Sequence, residues 1–456
     1  MKYKNFLRGL LDSITIRKPL FKLPDMMAVR AECSVADIET LAWELLSGRG
    51  EASGVARAAF LLKCYEQATG ERRLAFLLAL ADRFGPDPEQ AQLVIAALQN
   101  GASMEALSKT LPKLEPRRQE LIRRLNLAPG GTEALVRIRQ DVLEHLPQWP
   151  VLEALDDDFK HLFSSWFNRG FLVLRRIDWS TPAEILEKLI RYEAVHAIRS
   201  WDDLRGRTSP IDRRCFAFFH PALPSEPLIF VEVALTRQVP SAIAPLIEVP
   251  RTAIDPVEAT TAVFYSISSC QMGLAGISFG NFLIKQVVED LRSEFPSLET
   301  FVTLSPVPAF AKWTASDAGR SMLTKRGVDV DQLLSQLTEN CRTELASASA
   351  ELREMLERAA AVFMIEAKTP SGRPIDPVAR FHLGNGARLE RLNLFADLSQ
   401  NGLRQSHGLM ANYRYILKDI ERNHEAFAEK ETVVAAPNVL ALLKADVVPQ
   451  RKQARA

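Results

Sequence analysis

The sequence predicts an α+β fold, with an N-terminal all-helical bundle domain at residues 1–190 and a mixed α/β domain with a helical insertion at residues 191–456. Apolar residues recur at helical spacing over the first part of the chain, whereas short aromatic and β-branched segments begin after about residue 190. The length of 456 residues also exceeds what one hydrophobic core usually serves, so two domains are expected.

The helical prediction covers about residues 35–189. Glycine and proline at Gly85-Pro86 and Pro129-Gly-Gly131 separate segments of ordinary helix length. Because these breaks have no fixed period, we expect an irregular bundle rather than a repeat array, with a role in packing or oligomer contact. One apolar stripe consists of Ile38, Leu41, Ala42, Leu45 and Leu46.

Segments after residue 190 have the composition of strands. Residues 215–220 and 228–235 are short, aromatic and β-branched, and a proline-bounded turn separates them, which predicts a strand pair. Residues 263–268 and 301–304 are two further predicted strands. Residues 381–395 alternate only weakly between apolar and polar, and they are the candidate for a fifth strand.

Helical spacing returns in three places within this second part. A helix is predicted at 282–291, and residues 319–366 are predicted to form the helical insertion. Another helix is expected to begin near Gly408 and to carry Tyr413 and Tyr415.

Composition and charge exclude several classes of protein. Hydrophobic residues make up 47% of the chain and charged residues 25%, which are the averages of globular proteins rather than of disordered or membrane chains. Lysine and arginine number 57 against 56 aspartates and glutamates, so the net charge of +1 provides no general attraction to nucleic acid or to a membrane. No apolar run reaches the roughly 18 residues that span a bilayer. We therefore expect no nucleic-acid or membrane partner.

The first residues of the chain bear on its compartment. Residues 1–11 are basic and amphipathic, as a mitochondrial presequence would be, but Asp12 and Asp25 interrupt the pattern. No apolar stretch near Met1 resembles a secretion signal. A bacterial-type cytoplasm is the expected location, with the mitochondrial matrix as the alternative.

No metal site is predicted. The five cysteines are scattered without the paired short spacings of a zinc site. The histidines outside the strings described below also lack metal-ligand spacing; these are His145, His161, His196, His220, His407 and His424.

Three glycines, Gly273, Gly276 and Gly280, lie between the predicted strand and helix at 263–291. Glycine lets backbone N–H groups approach an anion at a helix N-terminus, although a tight turn alone would also use it. The spacing matches neither the nucleotide P-loop nor the dinucleotide fingerprint. Strand, glycine loop and helix in this order resemble the GNAT acetyltransferases, in which the loop binds the pyrophosphate of coenzyme A. Ala275 stands where those enzymes favour Gln or Arg, which leaves generic acetyl transfer in doubt.

Five longer strings follow one another in the second part of the chain. They are Phe264-Tyr-Ser-Ile-Ser268, Gly276 to Lys285, Phe301-Val-Thr-Leu-Ser-Pro-Val-Pro308, Phe381-His-Leu-Gly-Asn-Gly-Ala387 and Gly408-Leu-Met-Ala-Asn-Tyr-Arg-Tyr415. Together they resemble the malonyl-CoA decarboxylases, and their shared order makes coincidence a poor explanation. The resemblance is strong over about residues 193–415, and before them it is limited to helical character and length.

The resemblance implies a set of site residues. Ser305 and His382 match the family's catalytic pair, Tyr415 is placed near the reacting group, and Ser266 is a weaker candidate. By residue type alone, Ser305 would be a turn residue, His382 a core histidine and Tyr415 a core aromatic. The implied coenzyme A loop consists of Ala275, Gly276, Ile277, Ser278, Phe279, Gly280 and Asn281.

The implied reaction converts malonyl-CoA to acetyl-CoA and CO₂. The thioester carbonyl can accept the electrons that CO₂ leaves behind, so no metal, biotin or other cofactor is required. The protein must then stabilise an enolate and protonate carbon, for which Ser305 and His382 are suitable residue types. The family also implies self-association through the helical part, as a homodimer or homotetramer.

Two other functions remain open at this point. A CoA-dependent acyltransferase would pass an acyl group to an acceptor, and a non-catalytic acyl-CoA-sensing scaffold would keep the loop but need neither Ser305 nor His382. An α/β-hydrolase is disfavoured because Ser305 has no Gly-x-Ser-x-Gly setting.

Overall fold

A computed structural model describes residues 34–47, 51–248, 251–277, 279, 283–339 and 348–444. Spatial contacts divide the chain into two compact units. The first unit comprises residues 1–168 together with 271–277, and the second comprises 169–270 together with 278–456. Over the described ranges, no helix is long and apolar enough to cross a membrane.

The first unit is helical wherever the structure describes regular elements in it. Polar caps and prolines begin several of the helices: Ser34 and Asp37 form a reciprocal capping box, and Asp87 caps the helix that starts at Pro88. The helices are α1 (Val35–Leu46), α2 (Glu51–Gln67), α3 (Gly70–Arg83), α4 (Pro88–Gln99), α5 (Met104–Thr110), α6 (Arg117–Asn126), α7 (Gly131–His145) and α8 (Glu153–Trp166).

Buried charges join the later helices of this unit. Arg118 on α6 pairs with Asp158 on α8, and Arg139 on α7 donates from Nε to Oδ1 of Asp156 on α8 at 2.8 Å. All four side chains are buried. Because an unpaired buried charge is strongly unfavourable, each pair fixes its two helices against one another.

The second unit is built on a mixed sheet of eight strands within the described residues. The order is β1-β2-β3-β4-β5-β8-β6, with β7 pairing to β8. Neighbours are antiparallel except β4 and β5, which are parallel. The strands are β1 (Val173–Ile177), β2 (Arg213–His220), β3 (Leu223–Thr236), β4 (Thr261–Ser269), β5 (Thr300–Thr303), β6 (Ser305–Pro306), β7 (Arg388–Asn393) and β8 (Met410–Arg414).

The second unit also contains helices, among them those of the predicted insertion. The first two, α9 and α10, bury their apolar residues against Cys215, Ala217 and Phe219, which alternate along β2, and against Phe230 of β3. The helices are α9 (Ala183–Tyr192), α10 (Trp201–Thr208), α11 (Ala244–Ile247), α12 (Leu283–Glu294), α13 (Phe310–Ala315), α14 (Asp317–Lys325), α15 (Val330–Glu339), α16 (Ala350–Ile365), α17 (Pro377–Gly384), α18 (Gln400–Ser406), α19 (Ile420–Lys430) and α20 (Pro437–Ala441).

The predicted fold class is confirmed: a helical N-terminal region precedes a mixed α/β unit, and the strands at 215–220, 228–235, 263–268 and 301–304 are present. The helical prediction over 35–189 is wrong at β1. Among the described strands, β1 pairs with β2 alone, and it carries Arg175 and Arg176, so it lacks an apolar strand pattern. The domain extents 1–190 and 191–456 stay a prediction, because a contact-defined unit is not a unit shown to fold alone.

Two further predictions near the C-terminus are wrong. Residues 381–395 do not form one strand, because the Asp376 carboxylate caps α17 at the Ala379 N–H, and only Arg388–Asn393 form β7. The helix predicted from Gly408 is instead strand β8. Its neighbours β5, β6 and β7 pair with it on both edges, and a strand buried in this way shows no clear alternation in its sequence.

Candidate active site

Ser305 and His382 meet although they lie far apart in the chain. Ser305 begins the two-residue strand β6, and His382 lies in the last turn of α17. The Ser305 Oγ and His382 Nε2 atoms are 3.0 Å apart, within hydrogen-bond distance. The two side chains that the resemblance implies as a catalytic pair are therefore adjacent.

Tyr415 completes a line of three polar side chains. It follows β8 directly, and its hydroxyl lies 2.9 Å from His382 Nδ1. The Tyr413 ring stacks on the imidazole with centroids 4.6 Å apart, and Phe264 packs edge-on against Tyr415. These rings fix the plane of the histidine, so each of its nitrogens faces one hydroxyl.

The donors and acceptors along the line can be assigned by starting from Thr303, which lies at its Ser305 end. Ser305 Oγ donates to Thr303 Oγ1 at 2.9 Å, and the Tyr413 N–H also donates to that oxygen at 3.2 Å. Because the Ser305 proton is engaged, its oxygen accepts from His382 Nε2–H. A neutral imidazole then has a lone pair at Nδ1, which accepts the Tyr415 hydroxyl proton.

Burial sets the protonation of this line. Ser305 is 6% exposed, His382 3% and Tyr415 2%. Loss of hydration lowers the pKa of His382 to about 3 and raises the pKa of Tyr415 above its ordinary range. At neutral pH the site therefore holds a neutral imidazole between two hydroxyl groups, an arrangement that can relay a proton.

Asp376 holds together the two segments that carry the pair. Its Oδ1 accepts from the Ala379 N–H on α17 at 2.9 Å, and its Oδ2 accepts from the Ala309 N–H at 3.2 Å. Ala309 lies shortly after Ser305, and α17 carries His382. This buried carboxylate therefore sets the approach of one segment to the other.

Sequence reasoning missed Thr303, Tyr413 and Asp376 as parts of the site. Thr303 is two residues from Ser305 along an extended segment, and such residues share a face, so period-2 spacing could have found it. Asp376 stands directly before Pro377, which is a legible helix-start signal. Nothing in the local sequence marks Tyr413 as the ring that stacks on His382.

Ser266 lies elsewhere in the second unit. Its hydroxyl is 2.9 Å and 2.8 Å from the two carboxylate oxygens of Glu193, and Ser268 lies beside it. Ser266 pairs with Glu232 across β3 and β4, next to a bulge in the register. No contact joins Ser266 to Ser305 or His382 among the described residues, so its catalytic assignment stays a prediction.

The implied coenzyme A loop is described in part. Gly276 adopts φ +76, a left-handed conformation that favours glycine, and a Cβ there would meet no atom of the described residues within 4 Å. Ile277 and Phe279 are buried, whereas Ala275 is exposed. Ser278, Gly280 and Asn281 lie outside the described residues.

Metal-ligating side chains do not gather anywhere in the described ranges: no group of three or more histidine, cysteine, aspartate or glutamate residues could hold an ion there. The chemistry available at the Ser305–His382–Tyr415 line is that of hydrogen bonding and proton transfer.

Comparison with known proteins covers both parts of the chain. Residues 84–167 match the malonyl-CoA decarboxylase N-terminal domain, and residues 170–453 match the malonyl-CoA decarboxylase C-terminal domain. A mitochondrial malonyl-CoA decarboxylase from Anser anser anser is 35% identical over 407 residues, which cover 82% of this chain and 80% of the relative.

Two solved structures are more similar still. Malonyl-CoA decarboxylase from Rhodopseudomonas palustris is 56% identical with a TM-score of 0.82, and the enzyme from Agrobacterium vitis is 53% identical with a TM-score of 0.83. Each match covers 89% of this chain and 99% of the solved chain. The likeness therefore extends over nearly the whole of these relatives.

Proposed function

The chain belongs to the malonyl-CoA decarboxylase family, and we propose that it converts malonyl-CoA to acetyl-CoA and CO₂ with Ser305, His382 and Tyr415 as its reacting groups. The resemblance predicted from the sequence is thereby confirmed at the level of the family. The single observation that carries the residue assignment is the continuous hydrogen-bonded line from Tyr415 through His382 to Ser305.

The reaction breaks the bond between the malonyl carboxylate and C2. Its electron pair moves into the thioester carbonyl to give an enolate, and one proton must then reach C2. Ser305 is placed to turn its hydroxyl from Thr303 toward this developing oxyanion. A donor in such a position typically stabilises the transition state by about 3 kcal/mol.

His382 supplies the proton in this proposal. The malonyl carboxylate brings a negative charge into the buried site. This charge favours the protonated imidazole, so it raises the pKa that desolvation had lowered. Solvent supplies the proton that Nδ1 gains, and the Tyr415 hydroxyl then changes from donor to acceptor without leaving its place. The Nε2 proton, on the Ser305 side, passes to C2 and leaves a neutral imidazole protonated at Nδ1. Uptake of one solvent proton at Nε2 restores the imidazolium for the next turnover.

The coenzyme A part of the substrate is assigned to residues 275–281. The left-handed conformation of Gly276, and the space that the described residues leave beside it, support the approach of a ligand to the backbone. Ser266 is retained as the weakest member of the proposed site, because its hydroxyl is already engaged by Glu193.

The decisive experiment is incubation of purified protein with malonyl-CoA alone, after exhaustive chelation and without biotin, ATP or an acceptor. We expect stoichiometric acetyl-CoA and CO₂, since the substrate is its own electron sink. An acyltransferase would form product only with an acceptor, and a sensing scaffold would bind without turnover. Activity that vanishes with chelator and returns with a metal ion would contradict the mechanism.

A homodimer or homotetramer is expected through the helical part, where α4 and α5 expose Leu93, Leu98 and Met104. Sedimentation analysis distinguishes the two states. A bacterial-type cytoplasm is supported by higher identity to the proteins from Rhodopseudomonas palustris and Agrobacterium vitis than to the mitochondrial relative.

A further inference from the structure

Gly273 packs directly on a helix of the first unit. It lies in a short 3₁₀ turn at Met272–Leu274, just before the proposed coenzyme A loop. A Cβ atom at this position would overlap the backbone carbonyl of Val136 on α7. The φ of Gly273 is not left-handed, so this glycine is required for close backbone approach rather than for its own conformation.

Arg139 ties the same turn to the helix. Its side chain is fully buried, and one terminal nitrogen donates to the Gly273 carbonyl at 2.7 Å. Its Nε donates to Asp156 at 2.8 Å, and the Lys160 ammonium forms an ion pair with the other Asp156 oxygen, also at 2.8 Å. The buried Asp156 carboxylate therefore fixes the position of the guanidinium group that contacts the turn.

The contact with Arg139 lies close to the proposed loop. Only Leu274 and Ala275 separate Gly273 from left-handed Gly276, and the Ile277 N–H donates to the Leu274 carbonyl at 3.0 Å. Because the segment is short and internally hydrogen-bonded, we expect a displacement of Gly273 to move Gly276 as well.

We propose that Arg139, backed by Asp156, is a positioning residue for coenzyme A: it holds the backbone of Gly273 on α7 and so places the first part of the loop that binds the substrate. This inference rests on the proposed function of the loop. It assigns the helical part of the chain a role in substrate affinity as well as in packing.

A second buried pair in the same unit provides a matched control. Arg118 pairs with Asp158, and its terminal nitrogens donate to the carbonyls of Ala81 and Ala154 at 3.2 Å and 3.4 Å. Both carbonyls belong to the helical bundle. Arg118 and Arg139 are thus alike in burial and in having an aspartate partner, but only Arg139 contacts the glycine turn.

The experiment compares Arg139→Lys, Arg139→Met, Gly273→Ala and Arg118→Met in the full chain. The KM for malonyl-CoA, kcat, the Kd for free coenzyme A and the melting temperature are measured for each. We expect the Arg139 and Gly273 variants to raise KM and Kd by about tenfold or more, with kcat at saturation within about threefold of wild type. Arg118→Met should lower the melting temperature and leave the KM for malonyl-CoA and the Kd for coenzyme A unchanged.

Several outcomes overturn the inference. Folded Arg139→Lys and Gly273→Ala proteins with wild-type Kd would do so, as would an equal rise in Kd for Arg118→Met. If Arg139→Met does not fold, the lysine and alanine variants still decide. A wild-type protein that binds coenzyme A but does not decarboxylate malonyl-CoA refutes the proposed function while the Kd comparison still tests Arg139; a protein that does not bind coenzyme A refutes both.

Discussion

Replacement of His382 by asparagine should separate the catalytic role of this residue from its effect on pH-dependent stability. Asparagine preserves some hydrogen bonding but cannot carry a titrating proton. If the imidazole delivers the proton to C2, kcat per folded protein should fall by about 10²- to 10⁴-fold. Affinity for coenzyme A should stay near that of wild type, since residues 275–281 are proposed to bind it.

The stability effect has a definite sign. Burial lowers the pKa of His382 to about 3 from its ordinary value of 6.5. Between these values the unfolded chain binds a proton at this residue and the folded chain does not, so the folded protein loses stability as pH falls. One pKa unit corresponds to about 1.4 kcal/mol, so acidification from pH 7 to pH 5 should lower the free energy of unfolding by about 2 kcal/mol through this residue.

The His382→Asn protein should lack this contribution, so its free energy of unfolding should fall by about 2 kcal/mol less than that of wild type between pH 7 and pH 5. Urea unfolding at both pH values measures the difference. His196→Asn is the matched control, because burial also lowers the pKa of His196, to about 4, but this residue lies outside the proposed line. It should flatten the pH dependence as well and keep its kcat. A folded His382→Asn protein with near-normal kcat would refute the catalytic argument, and an unchanged pH slope would refute the electrostatic one.

Three further substitutions test neighbouring assignments. Tyr415→Phe keeps the packed ring but leaves buried His382 Nδ1 without its hydroxyl partner, so it should lower kcat by about tenfold or more and destabilise the protein by about 1 to 3 kcal/mol, measured by steady-state kinetics and urea unfolding. Ser266→Ala leaves the buried Glu193 carboxylate short of a donor and should destabilise the protein by about 1 to 3 kcal/mol in urea unfolding; a large loss of kcat without destabilisation would instead support its catalytic assignment. Gly276→Val places a β-branched residue at φ +76 and should raise the Kd for coenzyme A in calorimetry, and an unchanged Kd in the folded variant would remove Gly276 from the site.

The sequence pointed to the site residues through resemblance and not through local pattern. Ser305 and His382 are 77 positions apart, and nothing in the spacing of apolar residues near either one predicts that they meet. Their types suit proton transfer, but a serine before proline and a histidine between apolar residues are ordinary in turns and cores. The contact depends on how β6 and α17 are brought together by Asp376, which is a tertiary property.

The two wrong secondary-structure predictions, the strand at 381–395 and the helix from Gly408, have different physical causes. His382 was expected on a strand, although Asp376 and Pro377 carry a helix-start signal that outweighs the weak alternation after it. Tyr413 and Tyr415 were expected on a helix, but β8 has partners on both edges and is buried, so it has neither helical nor strand periodicity to read. The first error was avoidable from sequence, and the second was not.

The glycines before α12 show why a motif can be recognised before its parts are understood. Sequence alone groups Gly273 with Gly276 as residues that let an anion approach the backbone. The structure separates them: Gly276 is left-handed, and no atom of the described residues lies within 4 Å of where its Cβ would be, whereas Gly273 has no room for a side chain because α7 lies against it. An alanine at Gly276 would therefore act through backbone strain, and one at Gly273 through displacement from Val136 and Arg139. Because the two causes differ, removal of Arg139 should weaken coenzyme A binding in a wild-type background and add little once Gly273→Ala has already broken the same contact.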